Sequence, residues 1–246
     1  MIVAVIPAYN ESAHIRRVVE ETSKYVDRVI VVDDGSVDDT ADIVKHMDVI
    51  LVRHKTNMGK GVALKTGFKT ALKTGASIVV TLDGDYQHKP VEIKRLLSYL
   101  KKTGSDIVVG SRFLTKENIQ AMPAERIISN MITSAILRFF FRVPVTDSQS
   151  GFRAFKAAVL KIVETRDRRF AAETEILIDA RQKGFIIKEA PISIKYGFEK
   201  SKINPLLDTF RWLRTVFIKR VKSLFRDRRK NWRYIIRQGL RNSSLS

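Results

Sequence analysis

The chain of 246 residues contains no cysteine, which excludes disulfide bonds and thiolate metal ligands. A chain without cysteine fits a reducing compartment. The chain also has no stretch of about 18 uncharged apolar residues, because Arg138 and Arg142 interrupt the longest candidate at 127–145, so we predict no transmembrane helix. The first residues contain no basic segment and reach Pro7 after a short apolar run, so we expect no signal peptide.

Acidic residues are scarce relative to basic ones: 26 Asp or Glu stand against 45 Lys or Arg, which gives a net charge of +19. Such a balance indicates an anionic partner, whether nucleic acid, acidic lipid or a phosphorylated substrate. The excess is concentrated near the C-terminus, because residues 205–246 hold 12 Lys or Arg and only 2 Asp. We therefore divide the chain into one domain at 1–204 and a basic tail at 205–246.

The tail combines its charge with apolar residues at helical spacing. These apolar positions are Leu206, Phe210, Leu213, Phe217, Val221 and Leu224. On a helix, Arg211, Arg214 and Lys222 fall beside or opposite them. This arrangement predicts basic amphipathic helices, which are typical of segments that lie on an anionic membrane surface.

Short β-branched runs alternate with helical patterns over the first 110 residues. The runs are Ile2–Ile6, Val29–Val32, Val49–Val52, Ile78–Leu82 and Ile107–Val109. Such runs suit strands that are buried on both faces of a parallel sheet. Between them, apolar residues keep helical spacing at 15–22 and 93–100, and Ser36 with Asp39 predicts a helix start. The alternation predicts an α/β fold, a mostly parallel sheet with flanking helices, whose ligands bind beyond the carboxyl ends of the strands.

The second half of the domain is predicted to contain a loop, two helices and a strand. The helical pattern lapses from 116 to 124, which predicts the loop. One helix, with a broad apolar face, is predicted at 124–141, and another at 173–183, where Gly184 would end it. Residues 185–194 then have the pattern of a strand.

The segment Asp83-Gly84-Asp85-Tyr86-Gln87 directly follows the predicted strand at 78–82. Side chains two residues apart in an extended chain point the same way, so Asp83, Asp85 and Gln87 would converge just beyond the strand. Hard oxygen ligands of this kind suit Mg²⁺ or Mn²⁺. A tight turn built on Asp-Gly is the alternative interpretation, but a position at the end of a central strand favours metal binding.

Three further segments lie where predicted strands give way to helices. In Asp33-Asp34-Gly35-Ser36, a carboxylate would accept hydrogen bonds from a base or ribose, or would only support the helix N-terminus. In Pro7-Ala8-Tyr9-Asn10-Glu11, the Tyr9 ring would stack on a nucleobase. In Asn57-Met58-Gly59-Lys60-Gly61, a lysine and free amides at a helix start would meet a phosphate, although the glycine spacing of a Walker A loop is missing.

In this order and spacing, the four segments together resemble the inverting family 2 glycosyltransferases, which have the GT-A fold. That resemblance implies a Rossmann-like catalytic domain that uses a divalent metal ion and a nucleotide diphosphate sugar. It implies metal ligands at Asp83, Asp85 and Gln87, with Asp85 essential for catalysis. It also implies that the nucleotide lies at Pro7, Tyr9, Glu11, Asp34, Lys60, Asp83 and Gly84.

Later segments are similar to the dolichyl-phosphate mannose synthase branch of that family. They are Gly110-Ser111-Arg112, Asp147–Arg153, Glu173-Thr174-Glu175 and Ser201-Lys202, and the likeness extends over residues 2–204. The branch implies that Arg112 takes part in catalysis. It also implies phosphate or acceptor contacts at Arg112, Ser129, Asn130, Ser150, Arg153 and Lys202. Many members have arginine where Asn130 stands, so this chain departs from the branch at that position.

The branch implies transfer of one hexose, mannose or glucose, from GDP-mannose or UDP-glucose to a polyprenyl phosphate. A hydroxyl acceptor needs a general base, whereas a monophosphate already carries about −1.5 to −2 charges near pH 7. A phosphate acceptor instead needs cations that hold two phosphate groups together, and Arg112, Arg153 and Lys202 suit that need. The alternative acceptor is a hydroxyl on a sugar or protein, with Glu173 or Glu175 as base. Because these two glutamates are two residues apart on a helix, they do not share a face, and at most one would point into the cleft.

A lipid acceptor would require the domain to work at a membrane. We therefore expect a cytoplasmic protein that lies peripherally on the cytoplasmic face of a membrane. It would dock through 124–141 and the tail, or through a membrane-anchoring subunit. The alternative for the apolar stripe is internal packing. A different class, a basic nucleic-acid-binding protein, is disfavoured because the charge lies in the tail rather than among the aromatic residues of a binding module.

Overall fold

A seven-stranded sheet forms the centre of the part of the chain that the computed structural model describes, residues 1–163 and 171–193. All of these residues lie within one compact unit, Met1–Lys202. The strands are β1 Ile2–Ala8, β2 Arg28–Asp33, β3 Ile50–Arg53, β4 Ile78–Thr81, β5 Ile107–Ser111, β6 Arg153–Lys156 and β7 Ile187–Pro191. Their order is β3-β2-β1-β4-β6-β5-β7, and each pairing is parallel except those of β6. The predicted mostly parallel sheet is confirmed.

Helices cover both faces of the sheet, as predicted. The α-helices are α1 Ile15–Thr22, α2 Thr40–Lys45, α3 Lys60–Lys73, α4 Ile93–Thr103, α5 Lys116–Ala121, α6 Ala124–Phe141, α7 Ala157–Ile162 and α8 Ala171–Gln182. Single 3₁₀ turns lie at Pro90–Glu92 and Arg112–Leu114. The apolar stripes of α1, α2 and α4 pack against one face of the sheet, whereas α3 packs against the other face at β1 and β2.

Strand β1 illustrates why the central strands are continuous apolar runs. Its residues from Val3 to Ala8 are buried because alternate side chains face the two helix layers. On the α3 side, Gly67 lies so close to Val5 that a Cβ at the glycine would overlap the valine side chain. The absence of that Cβ lets the helix pack tightly on β1, where each fully buried aliphatic side chain contributes about 1.5–3 kcal/mol to stability.

The carboxyl ends of β1, β2, β4 and β5 lie at one edge of the sheet, which we call the carboxyl edge. Strand β6 runs in the opposite direction, so its first residue, Arg153, lies at this same edge and pairs with Thr81 and Val109. The sequence patterns did not predict β6, because a strand of four residues with a basic residue at each end shows almost no alternation. The carboxyl edge gathers the segments in which site residues were predicted.

Helix α6 has the predicted bounds, and its polar side faces the domain. Asn130, Thr133 and Ser134 are buried on this side. The amide of Asn130 donates to the Thr146 carbonyl at 3.0 Å, and the Ser134 hydroxyl donates to Ser148 Oγ at 3.0 Å. These hydrogen bonds tie α6 to the loop at 146–148.

The other side of α6 is apolar and exposed. Its exposed large side chains include Ile128, Met131, Ile132 and Phe139, and Phe139 is 81% exposed. The apolar face predicted from the sequence therefore points away from the core. Among residues 1–163 and 171–193, each helix is too short or too polar to cross a bilayer.

The predicted loop at 116–124 is wrong, because α5 occupies most of it and only two residues separate α5 from α6. The six residues of α5 are too few and too polar to show an apolar stripe. A buried polar side chain anchors the helix instead: Asn118 Nδ2 donates to the carbonyl oxygens of Arg112 and Ile192, at 3.2 and 2.6 Å.

The helix start predicted at Ser36 and Asp39 is also wrong in detail. Helix α2 begins at Thr40, and its first amide donates to the Asp38 carboxylate at 3.0 Å. Ser36 lies four residues before the first residue of α2, too far to be its N-cap, and its hydroxyl accepts a hydrogen bond from the Asn10 amide, at 2.9 Å. The side chain that was predicted to cap a helix therefore links two loops.

Of the last two elements of the domain, helix α8 begins two residues before the predicted helix at 173–183 and ends one residue before its predicted end, and strand β7 is shorter than predicted. Gly184 follows α8 with a left-handed φ of 89° and forms the predicted C-cap. Strand β7 occupies five residues of the predicted strand at 185–194. The predicted tail at 205–246 and Lys202 lie outside the described residues.

Candidate functional site

The loop after β1 is held in place by the loop after β2. The Asn10 amide donates to Ser36 Oγ at 2.9 Å, and the Glu11 amide donates to Thr40 Oγ1 at 2.8 Å. In return, the Val37 amide donates to Asn10 Oδ1 at 3.0 Å. These bonds keep Asn10 in a left-handed conformation with a φ of 55°, which is uncommon for a residue with a side chain. The predicted nucleotide segment from Pro7 to Glu11 is thus fixed at the carboxyl edge.

Asp34 supports the start of α3. Its carboxylate is 3% exposed and accepts the amides of Met58 and Gly59, at 3.0 and 2.7 Å. His54 Nδ1 lies 2.6 Å from the same carboxylate. Both oxygens therefore already have protein partners, and they support the start of α3 rather than that of the helix that directly follows the segment, which was the predicted alternative to nucleotide contact. Nucleotide contact by Asp34 stays a prediction.

A buried ion-pair cluster joins β4, α3 and α8. The Lys60 ammonium lies 2.6 Å from Asp83 Oδ1 and 3.0 Å from Glu173 Oε1. Burial opposes charge on both partners, but the Asp83 and Glu173 carboxylates raise the pKa of Lys60, and the Lys60 charge holds the pKa of Asp83 well below its ordinary range. Lys60 and Asp83 are therefore both ionised at neutral pH. The sequence placed Lys60 and Asp83 in separate motifs, and the structure brings them into contact.

Two glycines make room for this cluster. A Cβ at Gly151 would lie 2.9 Å from Asp83 Oδ2 and 3.0 Å from Glu173 Oε1, which is closer than real Cβ atoms come to such groups. Thr81 Oγ1 donates to the Gly151 carbonyl at 2.7 Å and holds the glycine at the end of β4. A Cβ at Gly84 would lie 3.3 Å from Glu11 Cγ, so two predicted nucleotide residues are also brought together.

Tyr86 shapes the segment that carries the predicted metal ligands. It has a left-handed φ of 58°, which is strained for an aromatic residue. Its hydroxyl donates to Glu21 Oε1 at 2.6 Å, and the Arg17 guanidinium lies 4.3 Å from its ring centroid. Helix α1 therefore holds the turn between Asp85 and Gln87.

Asp83, Asp85 and Gln87 fit a hard divalent cation by their chemistry. Burial and the charge of Asp83 raise the pKa of Asp85, so a nearby cation would relieve repulsion between these two carboxylates. Within residues 1–163 and 171–193, no three Asp, Glu or His side chains are already gathered as a metal site. The predicted third ligand is an amide, and Asp83 is paired with Lys60. Metal binding at these three residues stays a prediction.

His88 is a residue that sequence reasoning did not select. It is 5% exposed, its Nε2 lies 3.6 Å from Asp83 Oδ2, and its ring lies 5.2 Å from that of Phe152. No spacing to other histidines or carboxylates marks it in the sequence. Its place one residue after Gln87 was the only signal, and contact with Asp83 depends on the turn at Tyr86.

Arg112 is paired inside the protein. Its guanidinium makes two hydrogen bonds to the Asp147 carboxylate, at 2.6 and 2.7 Å, and its amide makes a third at 3.0 Å. Burial opposes ionisation of Asp147, but the Arg112 charge outweighs burial and lowers the pKa of Asp147. The Asp147 amide in turn donates to Glu189 at 3.0 Å. The catalytic role of Arg112 stays a prediction, and the structure adds a clamp on the loop that begins at Thr146.

Arg153 is almost completely enclosed, with 1% of its surface exposed. Its guanidinium donates to the carbonyl oxygens of Ser148, Ser150 and Glu173, at 3.0, 2.8 and 2.7 Å. In this conformation it has no access to a phosphate. It instead holds the 148–150 loop against the first turn of α8. Arg153 therefore fixes the position of Ser150, and the two residues are not seen as joint ligands of a phosphate.

The remaining predicted phosphate residues differ in access. Asn130 is buried in the contact of α6 with the 146–148 loop, whereas Ser129 is exposed. Of the two glutamates on α8, Glu173 reaches Lys60 at the carboxyl edge, and Glu175 is buried elsewhere along the same helix. Lys202 lies outside the described residues. The phosphate roles of these residues stay predictions.

Comparison with known proteins supports the sequence resemblance. Residues 3–163 match the family described as Glycosyl transferase family 2. The UDP-N-acetylglucosamine–dolichyl-phosphate N-acetylglucosaminyltransferase of Methanococcus voltae is 35% identical over 216 residues, which cover 80% of this chain and 86% of that protein. The polyprenol monophosphomannose synthase of Mycolicibacterium smegmatis is 29% identical over 200 residues, which cover 77% and 75%.

A solved structure confirms the fold. Glucosyl-3-phosphoglycerate synthase from Mycobacterium tuberculosis, in complex with Mn²⁺ and UDP-glucose, superimposes with a TM-score of 0.69. The sequences are 22% identical, and the match covers 89% of this chain and 78% of that one. At this identity the likeness shows the predicted GT-A architecture and not the substrates.

Proposed function

We propose that this chain, which belongs to glycosyl transferase family 2, transfers one hexose from a nucleotide diphosphate sugar to the phosphate of a polyprenyl lipid. The observation that carries the proposal is the charge arrangement at the carboxyl edge, where Asp83 and Asp85 suit a cation and Lys60 suits a phosphate. Two relatives support the acceptor class: one is named as acting on dolichyl phosphate and the other as making polyprenol monophosphomannose.

Asp83, Asp85 and Gln87 would hold Mg²⁺ or Mn²⁺. The ion supplies positive charge that stabilises the nucleotide diphosphate as it leaves the sugar. The protein's contribution is to bring two carboxylates together at the end of β4 and to keep the turn between Asp85 and Gln87 in place through Tyr86. A solved relative of the same fold contains Mn²⁺ and UDP-glucose, which supports a divalent ion.

The donor nucleotide would lie along the loops that follow β1 and β2. Hydrogen bonds join these two loops, so stacking of a base on the Tyr9 ring would cost little conformational entropy of the loops. Glu11 lies beside Gly84 and would contact the sugar end of the nucleotide. Lys60 stands at the first position of α3, where the helix dipole favours a phosphate.

A phosphate acceptor suits this site because it needs no general base. Glu173 is the glutamate that reaches the site, and its carboxylate is engaged by the Lys60 ammonium at 3.0 Å. This contact favours the lipid phosphate over a sugar or protein hydroxyl.

Radiolabelled donor separates the two acceptor classes. The full-length chain with Mn²⁺ is incubated with extracted polyprenyl phosphate and, separately, with soluble glycans. We expect label in the organic phase and none in the glycans. Asp85→Ala should abolish the transfer, whereas Asp42→Ala, an exposed carboxylate on α2, should leave it unchanged. Label only in the glycans would overturn the proposal in favour of a hydroxyl acceptor.

The donor is proposed to be GDP-mannose or UDP-glucose. The name of the Methanococcus voltae relative adds UDP-N-acetylglucosamine to the compounds that must be compared. A thermal-shift screen of the three donors with Mn²⁺ distinguishes them, because a ligand at a hundredfold excess over its dissociation constant stabilises the protein by about 2.7 kcal/mol. A shift with one donor identifies it, and no shift with any of the three would contradict the proposed donor class.

We also propose that the exposed apolar side of α6 docks on the cytoplasmic face of an anionic bilayer, where a polyprenyl phosphate resides. Ile128, Ile132 and Phe139 are more than half exposed on a helix whose polar side is already used inside. Arg138 lies at the border of this side and would meet lipid phosphates, with each basic residue near the surface contributing about 1 kcal/mol. The predicted tail would add charge, and a membrane-anchoring subunit is the alternative route to the bilayer.

Vesicle sedimentation tests the docking surface. The double variant Ile132→Ser with Phe139→Ser should bind phosphatidylglycerol vesicles at least about tenfold more weakly, because it removes two apolar side chains worth about 1.5 kcal/mol or more each. Ile162→Ser, which alters a similarly exposed isoleucine on α7, should bind as the unaltered chain does. Equal binding by all three proteins would rule out docking through α6.

A further inference from the structure

The Lys60 ammonium is held at the carboxylate that the predicted metal site needs. Its Nζ lies 2.6 Å from Asp83 Oδ1, and a second carboxylate, that of Glu173, lies 3.0 Å away. The three side chains come from α3, the end of β4 and the first turn of α8, so the contact is made by the fold and not by neighbouring residues. The Lys60 side chain is only 18% exposed.

The cluster carries more negative charge than Lys60 neutralises. Two carboxylates, those of Asp83 and Glu173, contact the single Lys60 ammonium, and Asp85 follows Asp83 two residues later beyond the end of β4. A monovalent side chain therefore offsets only part of the charge. A dication would offset the remainder more completely.

A metal ion and Lys60 cannot both make close contact with the same oxygen of Asp83. A divalent ion binds carboxylate oxygens at about 2.0–2.2 Å and repels an ammonium a few ångströms away. Asp83 Oδ2 does not offer an unhindered alternative, because His88 Nε2 lies 3.6 Å from it and Gly151 packs against it. Metal entry therefore requires Lys60 to move away from Asp83.

The ammonium would move toward the donor. Lys60 is the first residue of a 14-residue helix, whose N-terminal amide groups and dipole favour an anion. A diphosphate that binds at this helix start would replace Asp83 as the anionic partner of the Lys60 ammonium. One side chain would thus have two alternating anionic partners.

We propose that Lys60 is an internal counterion that competes with the divalent cation for Asp83. When the cation binds, the Lys60 ammonium moves from Asp83 to the diphosphate of the donor. This inference rests on the proposed function, because it assumes metal binding at Asp83 and Asp85. It assigns to Lys60 two opposite effects: the residue weakens binding of the metal alone and strengthens binding of the nucleotide. A residue that only maintained the local structure would not produce effects of opposite sign.

The test compares Lys60→Met with Lys65→Met, an exposed lysine on the same helix. Binding of Mn²⁺ alone to the full-length chain is measured from the electron paramagnetic resonance signal of free Mn²⁺. We expect Lys60→Met to bind Mn²⁺ at least about tenfold more tightly, because it removes a competing positive charge from the site. At saturating Mn²⁺, calorimetry should show UDP or GDP bound about tenfold more weakly by Lys60→Met. Lys65→Met should match the unaltered chain in both measurements.

Two outcomes identify which claim fails. If the unaltered chain binds Mn²⁺ but Lys60→Met binds it equally or more weakly, the competition is overturned and the proposed function stands. If neither protein binds Mn²⁺ with or without nucleotide, the metal-dependent function itself fails. Should Lys60→Met not fold, Mg²⁺ titration of the unaltered chain labelled with ¹⁵N at lysine Nζ replaces it. A protected ammonium resonance that shifts as Mg²⁺ saturates supports the inference, and one that stays unchanged overturns it.

Discussion

Two halves of the carboxyl edge use charge in different ways. The donor half, formed by the loops after β1, β2 and β4, contains Asp83, which is paired with the Lys60 ammonium, and Asp85, whose pKa is raised by burial and by the charge of Asp83. The acceptor half, formed by β5, β6 and the loop at 146–150, contains Arg112 and Arg153, which are already engaged by a carboxylate and by backbone carbonyls. A charged residue in a family motif can therefore build the site rather than contact the substrate.

Replacing Arg153 should show this difference most strongly. Arg153→Met leaves three buried carbonyl oxygens without donors, and each such loss costs about 1–3 kcal/mol, so we expect the free energy of unfolding to fall by about 3 kcal/mol or more. Urea denaturation followed by circular dichroism measures the change. Arg16→Met, an exposed arginine on α1, should change stability by no more than about 0.5 kcal/mol. A stable Arg153→Met with a raised KM for substrate would show instead that Arg153 contacts a phosphate.

Replacing Arg112 should also lower the free energy of unfolding, by an amount that depends on pH. Arg112→Met leaves the buried Asp147 carboxylate unpaired, and breaking a buried ion pair costs about 3–5 kcal/mol at neutral pH. Arg112 lowers the pKa of Asp147 in the folded chain, so the pair's stabilisation is present above the ordinary pKa of 3.8 and is lost as pH falls through the lower folded value.

Melting temperatures between pH 3 and 7 measure this dependence. In Arg112→Met, burial without the guanidinium favours protonation of Asp147, so the variant regains stability as the pH falls toward about 4, and the unaltered chain loses the stabilisation of the pair below about 4. The difference between the two proteins should therefore be largest near pH 7 and should shrink throughout the fall in pH. A difference that stays constant over this range would show that the Arg112–Asp147 pair does not stabilise the acceptor half. Asp42→Ala serves as the control for acid effects elsewhere.

Gly151 joins the two halves, and a side chain there should disturb the donor half more than the acceptor half. The added methyl of Gly151→Ala would lie 2.9 Å from Asp83 Oδ2, so the carboxylate must move. We expect a loss of about 1–3 kcal/mol in stability, as for an overpacked core, together with weaker Mn²⁺ binding. Gly75→Ala, at a left-handed glycine with no atoms near its missing Cβ, adds backbone strain without overlap and should leave Mn²⁺ binding unchanged. Unchanged Mn²⁺ binding in Gly151→Ala would contradict the close packing.

Tyr86 should give the smallest effect on stability. Tyr86→Phe removes the hydrogen bond to Glu21 and keeps the ring under Arg17, so we expect a loss of about 0.5–1.5 kcal/mol. Because the tyrosine helps hold the turn between Asp85 and Gln87, Mn²⁺ affinity should fall modestly as well. Tyr25→Phe, on the same side of the sheet, is a matched control. A drop in stability with unchanged Mn²⁺ affinity would show that Tyr86 does not position the predicted metal ligands.

The fold was predictable because its signals are local. Strand β1 is buried on both sides and α6 has helical spacing over five turns, so each pattern is visible within a short window. The position of the Asp83–Gln87 segment followed from its place after β4. Strand β6 and helix α5 were missed because four and six residues are too few to show a period. Their structure depends on neighbours such as Asn118, whose partners are distant in sequence.

The candidate site was only partly predictable, because the sequence shows which residues are charged and not which charges are paired. Lys60, Asp83 and Glu173 are far apart in the chain, and only the order of the strands brings them together. The internal role of Arg153 depends on β6 running antiparallel, which places its side chain among the carbonyl oxygens of the preceding loop and of the first turn of α8. No local pattern contains that information.

Anomalous scattering from crystals soaked with Mn²⁺ and a nucleoside diphosphate tests the central claim most directly. We predict one strong peak bound by Asp83 and Asp85 oxygens and by a diphosphate oxygen, at the distances of direct coordination. The same map would show the Lys60 ammonium displaced from Asp83 toward the diphosphate. A nucleotide bound at the carboxyl edge with no peak at these carboxylates, or a peak at another place, would contradict the account.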